Sequence, residues 1–257
     1  MPDQGLNQPG VLVTRPAQQA DKLSQLIEQA GFRVHRLPLI EIAQPLDENA
    51  ARQGLATLDA VDIVIFISAN AVRQCYLYIG KALPQNIRVA CVGQATARQF
   101  QDQFGRAADL VPQSGYNSEA LLALPELQAV SDKKILIIKG EGGRDLLART
   151  LADRGAEVSY ANLYRRIIPT EASQQLSDLS RQDEVDVLIL TSGEAIENLV
   201  SLSDSHSQKF LSQKTWLVIH PRLAEIVKQQ ACYKDILISD GPGDEQILQC
   251  LIQWAGQ

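Results

Sequence analysis

Short, continuously apolar runs recur along this chain at intervals about one helix long. IVIFI from Ile63, ILII from Ile135 and VLIL from Val187 are the plainest of them. Runs of that length, rich in Val, Ile and Leu, suit strands covered on both faces, and the stretches between them are amphipathic and of helix length. The pattern predicts parallel sheets flanked by helices. Expected strands fall near residues 11–15, 33–42, 62–68, 88–93 and 107–111, then near 134–139, 157–167, 185–191, 215–220 and 235–238. Helix signals agree: Asp21 and Asp145 are expected in first turns, Ser118 precedes an apolar run, and Gly31 and Gly155 sit where a helix should stop.

The two sets of strands look like copies of one unit. At an offset of 124 positions the segment from Val11 falls without a gap on the segment from Ile135, with Asp21 over Asp145, Leu23 over Leu147, Gly31 over Gly155 and Val34 over Val158. The same offset lays VDIVIFISANAV on VDVLILTSGEAI, with Asp62 over Asp186 and Ser68 over Ser192. At an offset near 127, VACVGQATARQF falls on WLVIHPRLAEIV, and GYNSEALLAL falls on GPGDEQILQC. Four blocks in one order at a nearly constant offset point to internal duplication. Pro38, Pro45 and Pro169 bracket or end the second strand of each copy, which marks an edge or a connector, so 33–45 and 157–169 are the candidate crossings between domains. Spacing alone leaves open whether the copies are sequential or exchange their first βα units.

Composition narrows the class. The 257 residues are 45% hydrophobic and 21% charged, ordinary globular usage and about 1.7 domain lengths. The net charge of −6 advertises neither a phosphate backbone nor an anionic membrane as partner, so an anionic ligand would have to be held by local chemistry. No apolar run reaches spanning length, and the leader MPDQGLNQPG has neither a basic nor an apolar region, so a cytoplasmic chain without a signal peptide is expected. Cys75, Cys91, Cys232 and Cys250 are scattered within expected helices or strands and read as buried free thiols. With His35, His206 and His220 dispersed as well, no metal-ligand spacing is present.

Open parallel sheets bind ligands beyond the carboxyl ends of their strands, where loops and helix N-termini present unpaired N–H groups. In the first copy those positions hold Thr14-Arg15-Pro16, Ser68-Ala69-Asn70, Gly93-Gln94-Ala95-Thr96 and Ser114-Gly115-Tyr116-Asn117. The second holds Lys139-Gly140-Glu141-Gly142-Gly143-Arg144, Thr191-Ser192-Gly193, His220-Pro221-Arg222 and Asp240-Gly241-Pro242-Gly243. Hydroxyls, glycines and single cations suit a ligand with many carboxylates or phosphates. Taken singly, each Ser or Thr is more simply a helix cap; two sets arranged alike carry the weight. The glycine-rich run at 139–144 lacks the endings of a phosphate loop or a dinucleotide fingerprint, and Glu41 and Glu194 have no evident acid–base partner.

VTRP at 13–16, IFISANAV at 65–72, VGQATA at 92–97, NSEALL at 117–122 and LYRR at 163–166 before Pro169 together resemble the uroporphyrinogen-III synthases, cyclases of tetrapyrrole (porphyrin and heme) biosynthesis. The resemblance runs from Val11 to the last helix. It implies an α/β protein of two similar flavodoxin-like domains joined by a two-stranded β connector, with an active site in the cleft between them. One domain would be discontinuous, 1–37 plus 170–257, the other 46–160, with 38–45 and 161–169 as connector strands. The implied reaction converts hydroxymethylbilane into uroporphyrinogen III with loss of water and inversion of the terminal ring. It implies no cofactor and no metal. Implied partners are this substrate alone, with no nucleic acid and no membrane, the chain acting as a monomer with at most transient contact with the preceding enzyme.

The same resemblance implies roles for particular residues. Tyr164 matches the connector tyrosine, a candidate to hydrogen-bond the departing hydroxyl, with a packing role as the alternative and Tyr160 as the other tyrosine of that strand. Ser68, Thr96 and Ser192 match hydroxyl positions expected to meet carboxylates. Arg15 matches a basic position at the end of the first strand, with Lys139, followed by Gly140, as its repeat partner. His220-Pro221-Arg222 departs from the family's GPxTA-like run, and Arg222 is the candidate to replace the missing threonine. The rival expectation is a two-lobed cytoplasmic module that binds or senses a small anion without chemistry.

Overall fold

A computed structural model describes residues 8–81, 83–115 and 117–256; most of the leader and Tyr116 of the strand-end set lie outside the described residues. The chain opens with β1 (Gly10–Val13), α1 (Ala17–Gln29), β2 (Arg33–Arg36) and β3 (Glu41–Ala43). It continues through α2 (Glu48–Leu55), β4 (Ile63–Phe66), α3 (Ala69–Ile79), β5 (Arg88–Cys91), α4 (Gln94–Phe104), α5 (Ser118–Leu122), β6 (Lys134–Gly140), α6 (Leu146–Asp153) and β7 (Glu157–Ile167). The remainder is α7 (Ala172–Gln182), β8 (Val187–Leu190), α8 (Gly193–Leu202), α9 (Ser205–Ser212), β9 (Thr215–Val218), α10 (Pro221–Gln230), β10 (Asp235–Ile238) and α11 (Asp244–Ala255). Two compact units result: Met1–Glu41 with Ile167–Gln257, and Ile42–Arg166.

In the first unit the sheet order is β10-β9-β8-β1-β2, every pairing parallel. This is a doubly wound order. Successive strand residues point to opposite faces. Leu12, Leu188 and Leu190 therefore join one core with α7 to α10, while Val11, Val13, Val187 and Ile189 join another with α1 and α11. In the second unit the order is β3-β7-β6-β4-β5, with β4, β5, β6 and β7 paired parallel. Here Phe66, Leu136 and Ile138 face α2, α3 and α4, and Ile65, Ile135 and Ile137 face α5 and α6.

The duplication is visible in the topology. Replacing β9, β8, β1 and β2 by their repeat partners β5, β4, β6 and β7 turns the four-strand run of one sheet into that of the other, while the fifth strands, β10 and β3, lie at opposite edges. Asp62 accepts from Lys134 N at 2.8 Å, tying β4 to β6, and its repeat partner Asp186 accepts from Gly10 N at 2.7 Å, tying β8 to β1.

Some expectations are corrected. No strand forms at 107–111: only Leu110 bridges to Ala90, where Leu237 pairs with Leu217 in the other unit. The Asp109 carboxylate takes Val89 N–H at 2.7 Å, and Pro112 has no N–H to continue the pairing. The expected strand 33–42 breaks into β2 and β3 at Pro38. Neither α1 nor α6 has an acid in its first turn, because α1 starts at Ala17 and Asp145 sits one residue before α6. Asn117, not Ser118, caps α5, its side chain accepting from Ala120 N at 2.8 Å. Gly31 and Gly155 do follow their helices with φ of 91° and 87°, left-handed positions that favour glycine.

Cys75 and Cys91 are buried thiols, each pushed up to about 12 by that burial, but Cys232 is exposed in the loop after α10 and Cys250 is half-buried. Among the described residues no helix is long and apolar enough to cross a membrane, and no cluster of His, Cys, Asp or Glu could hold a metal ion.

Candidate functional site

In the second unit the chemistry gathers where β4 and β6 end and β7 runs on past them. Ser68 leaves β4 in extended geometry and caps α3, its Oγ accepting from Ala71 N at 3.0 Å. On the same oxygen, 3.0 Å away, lies the hydroxyl of Tyr164. Tyr164 reaches it because β7 carries one extra residue. Pairing with β6 runs from Lys134 with Glu157 to Lys139 with Asn162, then jumps to Gly140 with Tyr164. A bulge of this kind re-aims the side chain that follows it. Tyr164 consequently packs with Ala161 and Leu163 beneath α3, only 3% exposed, while its carbonyl accepts from Glu141 N at 2.8 Å.

Gly140 makes the seat for that ring. A Cβ there would stand 2.6 Å from Tyr164 Cε2, so any side chain would displace the phenol. Gly140, a strand-end glycine expected at the ligand, stands first as the floor under Tyr164. Nothing in the residue types announces this, because the floor depends on a register shift.

The bulge separates the two tyrosine candidates. Tyr160 lies before it and faces the other side, 40% exposed, with Lys139 Nζ 5.2 Å from its ring centroid. Burial and the nearby Asp145 carboxylate, opposed by Arg149, hold the Tyr160 phenol proton more tightly than usual. Lys139 is 9% exposed and lines a cavity of about 290 Å³ together with Arg144, Asn117, Ser118 and Tyr160. Arg144 is paired with Glu119 at 2.7 Å, whereas no carboxylate pairs with Lys139 among the described residues. Gly142 and Gly143 take left-handed φ of 71° and 87° in the turn that follows. Thr96 is buried in the first turn of α4, behind the N-cap Gly93.

In the first unit Ser192 repeats the Ser68 cap, its Oγ accepting from Ala195 N at 3.1 Å at the start of α8. Arg15 is not a free cation: Nη1 meets Asp244 Oδ1 at 2.5 Å and Nη2 donates to Pro242 O at 3.1 Å. A carboxylate ligand there would compete with Asp244, a partner that no spacing in the sequence foretold. Arg222 is exposed on α10, and its backbone N donates to His220 Nδ1 at 3.0 Å. His220 thus caps α10 with its imidazole where its repeat partner Gly93 has no side chain. A further cavity of about 400 Å³, lined by Trp216, Lys209 and Cys232, opens at the amino end of β9, opposite the end where these groups lie.

Two doubly wound units, each with hydroxyls at the carboxyl ends of its strands, define an α/β protein suited to a polyanionic ligand. The family model for uroporphyrinogen-III synthase matches residues 21–249. The uroporphyrinogen-III synthase of Salmonella typhimurium is 31% identical over 246 residues, 94% of this chain and 99% of that relative. Its Escherichia coli counterpart is 30% identical over 94% of this chain and 99% of its own length. Among solved structures, a mutant uroporphyrinogen III synthase of Thermus thermophilus superposes with a TM-score of 0.65 at 18% identity, over 96% of this chain and 98% of that one. The Helicobacter pylori uroporphyrinogen-III synthetase gives 0.63 at 18% identity, over 96% and 100%; at such identities these two speak for the fold. The chain belongs to the uroporphyrinogen-III synthase family. Its activity is that of a hydro-lyase of tetrapyrrole biosynthesis.

Proposed function

We propose that this chain converts hydroxymethylbilane to uroporphyrinogen III, with Tyr164 as the acid that helps the terminal hydroxyl leave. The observation that carries the residue assignment is the phenol of Tyr164, on β7 beside the end of β6, held 3.0 Å from Ser68 beyond the end of β4. In the step proposed, the phenol O–H breaks and its proton goes to the departing hydroxyl. The carbon–oxygen bond breaks with its electron pair leaving on that oxygen as water, and the pyrrole nitrogen pair fills the vacancy on carbon. After ring closure and inversion through the spiro intermediate, the proton lost by the terminal pyrrole carbon restores the phenol. The substrate's nitrogens supply the electron push, so the protein mainly donates one proton and holds a flexible chain in a reactive shape.

The remaining residues serve the substrate's eight carboxylates. Lys139 has the cation best placed for one, being close to a cavity and free of a carboxylate partner among the described residues. Thr96, Ser192 and Arg222 are proposed as further contacts, with Arg15 acting through exchange of its Asp244 pairing. The chain would act as a cytoplasmic monomer on substrate supplied by the preceding enzyme.

The test supplies hydroxymethylbilane from that enzyme, adds this protein, oxidises the products and separates the type I and type III isomers. Type III is expected in proportion to protein. Type I alone at every protein concentration would leave the rival reading, a module that binds a small anion without chemistry. Tyr164→Phe should lower kcat about a hundredfold or more, as loss of a general acid does.

A further inference from the structure

We propose that Ser68 is a positioning residue: its hydroxyl donates to the oxygen of Tyr164 and so directs the phenol's proton toward the substrate. This deepens the reading of Tyr164 as the acid and rests on it. It also departs from the expectation that Ser68 meets a carboxylate.

A serine hydroxyl has one hydrogen and two lone pairs, and a phenol likewise has one hydrogen to give. Ala71 N–H already occupies one Ser68 lone pair at 3.0 Å. Across the 3.0 Å contact with Tyr164 only one of the two hydroxyls can donate. If Tyr164 donated, its single proton would be spent on Ser68 and none would remain for the departing hydroxyl. With Ser68 donating, a chain runs from Ala71 N–H through Ser68 O–H to Tyr164 O–H, and the phenol proton points away from the serine. As that proton leaves, the Ser68 hydrogen bond becomes charge-assisted and strengthens, which favours the transition state over the bound substrate.

Comparison of the two copies shows that the pairing is an addition to the shared plan. Ser192 caps α8 just as Ser68 caps α3, so a serine here is sufficiently explained by capping in the first unit. At the offset of 124 Tyr164 falls on Ile40 and Gly140 falls on Pro16, so the first unit has neither a phenol nor a glycine at these positions. The bulge between Lys139 and Gly140 and the absent Cβ at Gly140 then bring the phenol oxygen onto the cap. Among the described residues, only the second unit thus couples its cap serine to a tyrosine.

The experiment measures kcat and KM for type III formation in Ser68→Ala, Ser68→Gly and Ser68→Thr, each made with Tyr164 intact and with Tyr164→Phe. Glycine is a tolerable cap, so Ser68→Gly removes the hydroxyl with little cost to α3. With Tyr164 intact, Ser68→Ala and Ser68→Gly should lower kcat about tenfold or more, by loss of one donor to a developing anion, with KM within about twofold. Ser68→Thr, which keeps the oxygen and its hydrogen, should recover most of the rate. With Tyr164→Phe, the serine substitutions should have no further effect, because coupled residues do not add. A raised KM with kcat preserved would overturn the proposal and return Ser68 to a carboxylate contact. An equal loss in both backgrounds, with Tyr164→Phe itself slow, would overturn the proposal alone. Full kcat in Tyr164→Phe would overturn the acid reading and this proposal together.

Discussion

Gly140 is the residue on which the geometry of Tyr164 most directly depends. Its Cβ position lies 2.6 Å from Tyr164 Cε2 and 2.8 Å from Cζ, in a packed layer that also holds Ile138 and Leu163. Gly140→Ala should therefore act as overpacking, destabilising the chain by about 1–3 kcal/mol in chemical denaturation. Because the displaced group is the phenol, kcat for type III formation should fall with it. A Gly140→Ala enzyme of unchanged kcat would show that the ring can move without consequence, and would count against Tyr164 as the acid. The sequence offers Tyr164, Ser68 and Gly140 separately, as a matched tyrosine, a cap hydroxyl and a strand-end glycine. It could not show that they touch, since a single inserted residue in β7 reverses the side to which everything after it points. For Arg15 the charge was legible from the sequence and its Asp244 partner was not, the two being separated by nearly the whole chain.

At the scale of elements, most of what the hydrophobic pattern predicted is present, because buried parallel strands are the segments whose composition leaves least choice. The pattern failed where side chains replace backbone partners. Asp109 occupies Val89 N–H and leaves a single bridge in place of a strand, an exchange that apolar periodicity does not report. Asp62 uses a similar device constructively, accepting from Lys134 N and from Lys133 Nζ at 3.1 Å and so binding β4 to the start of β6. Those bonds, the backbone one first, hold the Asp62 carboxyl below its ordinary range. A folded-state pKa lowered in this way stabilises the fold above the unfolded carboxylate value of about 3.9, and the contribution is lost as pH falls through the folded value. Asp62→Asn should accordingly lower the denaturant midpoint at neutral pH, and the gap from the parent should close on acidification below about pH 4. A gap that stayed constant down to pH 2 would show that the charge contributes nothing and only the shape of the side chain matters.

At the scale of the molecule, an acidic chain is asked to hold an acidic ligand. The net charge of −6 offers no long-range attraction for a polycarboxylate, so affinity has to come from contacts at the strand ends. The ligand's effect on folding is then a direct measure of those contacts. A molecule that binds the native chain and not the unfolded one stabilises it by RT ln(1 + [L]/Kd), about 2.7 kcal/mol at a hundredfold excess over Kd. For a chain of this size each kcal/mol moves Tm by roughly 2–4 °C, so uroporphyrinogen III at that excess should raise Tm by about 5–10 °C. The rise should continue with the logarithm of ligand concentration, since the linkage has no plateau until solubility ends it. Lys139→Ala should displace that curve to higher concentration, because it removes a cation that has no carboxylate partner among the described residues. Arg15→Ala should displace it less, its charge being already committed to Asp244. Equal displacement by the two would show that Asp244 yields Arg15 to the ligand, and a Tm unmoved across the whole series would remove the polycarboxylate site altogether.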